Sequence, residues 1–172
     1  MPCGAQNCRV GLTGEALLIG IAQIAVVFAG FVGLVTAVRQ EGGNWTGAHQ
    51  ARLFGLMGAT LATTIIALLP SVLLLLLGDE RRTLASASGL AAIFLMPVYV
   101  HRLRQAASVG VLASRFGVLV VALGIGSILV LYVTNAFVWQ AVGPYVAALV
   151  GQLILAMINF YGLMGAAPNP KG

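Results

Sequence analysis

Long apolar stretches, each closed by one or a few charged residues, set the pattern of this chain. Ala16 to Val38 carries no Asp, Glu, Lys or Arg for about 23 residues; at ~1.5 Å of rise per residue, a helix of that length crosses a ~30 Å hydrocarbon layer once. Leu53 to Gly78 is free of charge for about 26 residues, enough for one crossing with some tilt. Thr83 to His101 is the shortest interval, roughly 19 residues. Phe116 to Pro170 runs for about 55, too long for one helix, so it folds back on itself. The break falls at Trp139-Gln140-Ala141-Val142-Gly143-Pro144, because Gly and Pro punctuate helices and Pro suits the first turn of a new one.

The pattern predicts an all-α, polytopic transmembrane bundle with helices at about 16–38, 53–78, 84–101, 116–138 and 143–165. They form one transmembrane domain, 16–165, between an N-terminal tail (1–15) and a C-terminal tail (166–172). The apolar runs are continuous rather than alternating, which excludes a β-barrel. Helices are the alternative, since lipid offers no partner for backbone N–H and C=O groups. The third span opens on the small and polar residues Leu84-Ala85-Ser86-Ala87-Ser88-Gly89-Leu90, and Pro97 interrupts its far end. A re-entrant or interfacial segment is the competing reading there, and the chain then has four spans rather than five.

Composition sharpens the class. Hydrophobic residues make up 60% of the chain and charged ones 8%, against about 25% charged in a soluble domain. So few charges cannot cover the surface of a small water-soluble sphere. A water-soluble monomer, a nucleic-acid module, a disordered tail and a disulfide-stapled secreted domain are all excluded, and membrane lipid becomes the expected solvent.

With five spans, Arg9, Arg81 and Arg82 lie on one side, and Arg39, Arg52, Arg102, Arg104, Arg115 and Lys171 on the other. The excess of basic residues marks the cytoplasmic side, so the N-terminus is expected outside the bacterial inner membrane and the C-terminus inside. The tail before the first span carries Gly4, Gln6, Asn7 and Arg9 and lacks the apolar stretch of a cleaved signal, so that span is expected to act as an uncleaved signal-anchor. Cys3 and Cys8 read as two ordinary cysteines on a short tail, with a disulfide on an oxidising side the alternative; a metal site would lack two further ligands.

None of the predicted spans contains an ionisable Asp, Glu, Lys or Arg, which argues against proton pumps, ion-coupled transporters and voltage sensors. Neutral polar residues do form a pattern. Tyr145, Gln152 and Asn159 stand at i, i+7 and i+14 on the fifth helix, Tyr132, Thr134 and Asn135 close the fourth, and Gln23 sits in the middle of the first. Each should point at protein or water, either as interhelical hydrogen bonds that fix register or as the lining of a polar path. Small residues form a second pattern: Ala22, Ala25, Ala29, Gly33 and Ala37 on the first helix, Gly58 and Ala62 on the second, Gly117 and Gly124 on the fourth. Such faces let helices approach closely, within the chain or between copies.

Candidate chemistry is sparse. His49 and His101 map to loop level without a supporting carboxylate or cysteine, so neither a metal nor a haem cofactor is expected. No nucleophile elbow, Ser–Lys pair or phosphate-cradling loop accompanies the many Ser and Thr residues, and the chain is not expected to be an enzyme. Asn44-Trp45-Thr46 matches a glycosylation acceptor but falls on the cytoplasmic side; Trp45 and Trp139 are expected at the headgroup levels. Arg102, Arg104 and Arg115 serve as topology determinants, with contact to anionic lipid the alternative.

The first span reads Ile21-Ala22-Gln23-Ile24-Ala25 and then Gly30-Phe31-Val32-Gly33; the second closes on Ala67-Leu68-Leu69-Pro70, and the tail holds Asn135, Pro144-Tyr145 and Asn159-Phe160-Tyr161. This resembles a loose group of small bacterial multi-span membrane proteins whose first span has an I-A-E-I-A stretch followed by G-F-x-G. Gln23 stands where that group places a carboxylate, and the resemblance implies no activity, cofactor or substrate. The functional expectation is a structural or assembly protein acting by helix–helix association, as a homo-oligomer or a subunit of a membrane complex. The alternative is a passive channel or small-solute transporter lined by Gln23, Gln152 and Asn159.

Overall fold

A computed structural model describes residues 12, 14–40, 47–108 and 115–164. The two cysteines, the Asn44-Trp45-Thr46 sequon and Lys171 lie outside these residues, as do the side chain of His49 and the surroundings of Gly117.

Nearly all the described residues are helical, in the order α1 (Glu15–Gln40), α2 (Gly47–Leu77), α3 (Glu80–Ser108), α4 (Arg115–Thr134), a single π turn (Asn135–Trp139) and α5 (Val142–Met164). Within them lie five segments long and apolar enough to cross a membrane: Glu15–Val38, Leu53–Leu77, Glu80–His101, Ala122–Trp139 and Val142–Tyr161. The third helix differs most from the sequence expectation. It begins four residues before position 84, ends beyond 101, and continues through Pro97 for 29 residues, about 43 Å of helix. Its small residues do not weaken it, because Ala87, Ser88 and Ala91 are buried, the two alanines within the apolar core. α2 likewise starts at Gly47, drawing His49 and Arg52 into its first turns.

Side-chain contacts fix an alternating up-and-down order. Gly14, before α1, lies against Val142 at the start of α5, while Phe28 of α1 meets Phe160 near the end of α5, so these two helices run parallel. Gly33, late in α1, faces Met57, early in α2. Ser88, early in α3, meets Asn135 at the end of α4. Tyr145 and Gln152 of α5 bond in reverse order to Ile66 and Thr63 of α2. The beginnings of α1, α3 and α5 and the ends of α2 and α4 therefore share one end of the bundle.

Two tight reversals sit at that end. Between α2 and α3 only Gly78 and Asp79 are non-helical. Gly78 has φ +67°, the left-handed conformation a helix-ending residue needs, and its N–H donates to the Leu74 carbonyl at 2.9 Å. Thr83 N–H then donates to the Asp79 carbonyl, starting α3, and Arg82 Nε lies 3.6 Å from Asp79 Oδ2 at the surface. The second reversal falls at Gln140-Ala141, inside the predicted break, with Pro144 in the first turn of α5 as expected.

Large apolar side chains also cover much of the exterior. Phe54, Ile93, Leu75, Leu76 and Phe137 are all more than 70% exposed, an arrangement that water does not tolerate over a whole surface and lipid does. The chain is a multi-pass helical membrane protein.

Candidate functional site

The polar side chains at membrane depth divide into an interior group and a surface group. In the interior, α5 is tied to α2. Pro70 interrupts the Leu-rich run of α2 without ending it, but its ring nitrogen has no hydrogen to give the carbonyl of Ile66, four residues back. The Tyr145 hydroxyl donates to that carbonyl instead. One turn further, the Thr63 hydroxyl lies 2.9 Å from the Ala59 carbonyl of its own helix and 3.2 Å from Gln152 Oε1. Gln152 is 4% exposed, and its Nε2 has no partner among the described residues.

A second tie joins α3 to the end of α4. Asn135 is fully buried at the first residue of the π turn. Its Nδ2 donates to Ser88 Oγ at 2.8 Å, and its Oδ1 accepts from the Ala141 N–H at 3.0 Å. The widened turn arises here: Gln140 N–H reaches back five residues to the Asn135 carbonyl at 2.9 Å, with Gln140 itself at φ +49°. One amide thus caps α4, shapes the reversal into α5 and fixes α3. Beside it, Tyr132 packs edge-on against Tyr145 with ring centroids 5.6 Å apart. The hydroxyls of Tyr132, Thr83 and Ser71 are buried without partners among the described residues.

Other hydroxyls turn back on their own helices: Thr36 to Val32, Thr60 to Met57, Thr64 to Thr60, Ser127 to Gly124 and Thr134 to Val130. This is the usual satisfaction of Ser and Thr where water is absent.

Asn159 and Gln23 behave differently. Asn159 shares the heptad of Tyr145 and Gln152, but it is exposed, with Nδ2 donating to the Leu155 carbonyl of its own helix at 2.9 Å. Gln23 faces outward from the middle of α1, in an open groove lined by Gly20, Gln23, Ile24, Val27, Phe28 and Phe31. The structure therefore brings Tyr145 and Gln152 together on α2 and Asn135 together with Ser88, while Gln23 and Asn159 stand on the outer surface. They do not converge on one path.

Some of the small residues singled out by the sequence pack inside the chain, whereas Ala37 and Gly58 are exposed. Ala22 and Ala25 are buried. A Cβ on Gly33 would sit 3.9 Å from Met57 on α2, and one on Gly124 would sit 3.1 Å from Leu155 on α5. The partners Ser88, Thr63 and the Ile66 carbonyl were not foreseen. Pro70 carried a signal for the last: a proline inside a membrane helix leaves a carbonyl at i−4 that some donor must meet.

Among the described residues no three His, Cys, Asp or Glu side chains gather as a metal site. Comparison with known proteins adds no name to this geometry: no family model, curated protein or solved structure matches the chain.

Proposed function

We propose that this chain is a non-enzymatic structural subunit of the bacterial inner membrane, acting by helix–helix association with itself or with a larger membrane complex. Its N-terminus lies outside, its C-terminus lies in the cytoplasm, and it binds lipid but no nucleic acid. The observation that carries this reading is the separation of the polar groups. Asn135 and Tyr145 are committed to hydrogen bonds between helices, which lock the bundle, whereas Gln23 is presented to the outside. A locked interior with an amide on its lipid face suits a component that holds others. The loops described between helices are also too short to form a catalytic domain.

The rival reading, a passive channel or small-solute transporter, draws on Gln152, whose buried amide nitrogen lacks a partner among the described residues. Reconstitution into liposomes separates the two. Under the assembly reading, solute flux and conductance stay at the level of empty vesicles, and mild-detergent extraction recovers the chain in a particle larger than its monomer. Conductance that changes with Gln152→Leu would overturn it in favour of the channel.

A further inference from the structure

We infer that α1 presents a self-association seam on its outer face, and that its occupant is α1 of a second copy, paired through Gln23. This rests on the assembly reading above and names its surface and partner. The buried side of α1 carries Leu18, Ala22, Ala25 and Val32. At 100° per residue, Ala16, Gly20, Gln23, Val27, Gly30 and Leu34 fall in a band on the opposite side. Their spacing alternates steps of four and three, the repeat with which two helices supercoil around each other. They are exposed or half-buried, and the groove along this band is lined by Gly20, Gln23 and Val27 with Ile24, Phe28 and Phe31 beside them.

Three properties of the band identify its occupant. First, the Gln23 amide stands eight residues into a 24-residue apolar span with no hydrogen-bond partner among the described residues, and an unpaired amide in hydrocarbon is costly. Whatever covers it must offer both a donor and an acceptor at the same depth. Second, an amide is self-complementary. Two copies inserted with the same topology bring Gln23 to one depth, where each side chain donates to the other across a two-fold axis. Third, a Cβ built on Gly20 or Gly30 meets nothing within 4 Å. Among the described residues these glycines serve no close contact, unlike Gly124 and Gly151, and they flank Gln23 where a second helix must approach for side-chain amides to meet.

The test uses the full chain with both cysteines changed to serine, reconstituted in phosphatidylcholine–phosphatidylglycerol vesicles over a range of lipid-to-protein ratios. Self-association is read by energy transfer between two labelled pools. Seam geometry is read by disulfide formation at Val27→Cys, with the flanking exposed position Val26→Cys as reference. The expected result is energy transfer that falls on dilution with lipid, with cross-linking at position 27 well above that at 26. Gln23→Leu should weaken the dimer by roughly 3- to 20-fold, the range of interhelical polar contacts, and Gln23→Asn should weaken it less. Gln23 has no partner among the described residues, so Gln23→Leu should keep the helicity and monodispersity of the parent.

Energy transfer that survives Gln23→Leu, with equal cross-linking at 26 and 27, would overturn the α1 seam and leave the assembly reading standing. A monomer at every ratio that co-purifies with another protein would overturn the second copy as occupant. A monomer that co-purifies with nothing would remove both.

Discussion

Tyr145 does for α2 what a backbone N–H does elsewhere, and the consequence is a coupling that can be measured. With Pro70 in place, the Ile66 carbonyl depends on the Tyr145 hydroxyl, and both residues are buried, so Tyr145→Phe leaves an acceptor unmet. The loss should lower stability by about 1–2 kcal/mol, the cost of orphaning a buried neutral group. Pro70→Ala restores an N–H at position 70, which can close the ordinary helical bond to Ile66. In that background Tyr145→Phe should cost about 1 kcal/mol less. Unfolding in mixed micelles of the four variants closes the cycle; equal costs in both backgrounds would mean that the hydroxyl does not serve the proline's carbonyl. The interior amides follow the same logic with different weight. Asn135 has both ends of its amide occupied, by Ser88 and by the Ala141 N–H, whereas Gln152 has only its oxygen paired. Loss of Asn135 therefore removes two contacts, one to α3 and one to the reversal before α5, and loss of Gln152 removes one.

The close approach of α4 and α5 is reciprocal: Leu155 of α5 lies over Gly124 of α4, and Ile128 of α4 lies over Gly151 of α5, each 3.1 Å from where a Cβ would stand. Gly151→Leu should push the helices apart and lower stability by about 1–3 kcal/mol, as overpacking does. Gly33→Ala places its methyl at an ordinary 3.9 Å from Met57 and should stay within about 0.5 kcal/mol of the parent. Thermal unfolding in detergent distinguishes them, and a harmless Gly151→Leu would show that the two helices do not meet as described. Helix existence was legible from charge spacing alone, because burying a charge in hydrocarbon is costly and an apolar run long enough to span needs no other signal. The break before Pro144 was legible for a similarly local reason. Helix ends were not: α2 and α3 extend past the charged residues that bound their apolar stretches, since outside the hydrocarbon a helix tolerates Arg52, Glu80 and Arg104 freely. The Asn135 tie was hidden too, because its Nδ2 meets a serine 47 positions away in sequence. So was the side on which each small or polar residue falls. Gln23 and Gly33 lie on one helix, and only the arrangement of α2 and α5 around it turns Gly33 inward and Gln23 outward.

At the scale of the molecule, the alternating order of helices makes a prediction that separates five crossings from four. Asp79, between α2 and α3, and Ala141, between the π turn and α5, lie at the same end as the start of α1; His101 lies far along α3, toward the other end. In a background with both native cysteines changed to serine, Asp79→Cys and Ala141→Cys should react together with a membrane-impermeant maleimide in intact cells. His101→Cys should react only once the membrane is opened. The direction follows from the basic residues, since Arg39, Arg52 and Arg104 all belong to the His101 end and the positive side faces the cytoplasm. Reaction of positions 79 and 101 from the same side would place α3 along the surface instead of through it. That outcome is hard to reconcile with Asn135, which needs α3 beside the end of α4 to satisfy its Nδ2, or with the burial of Leu84, Ala87, Ala91 and Leu95 along one face of the same helix. A surface helix could bury such a face only against the outside of the bundle, where it would strand Ser88 and Asn135 in lipid. The buried amide and the five-span topology therefore stand or fall together.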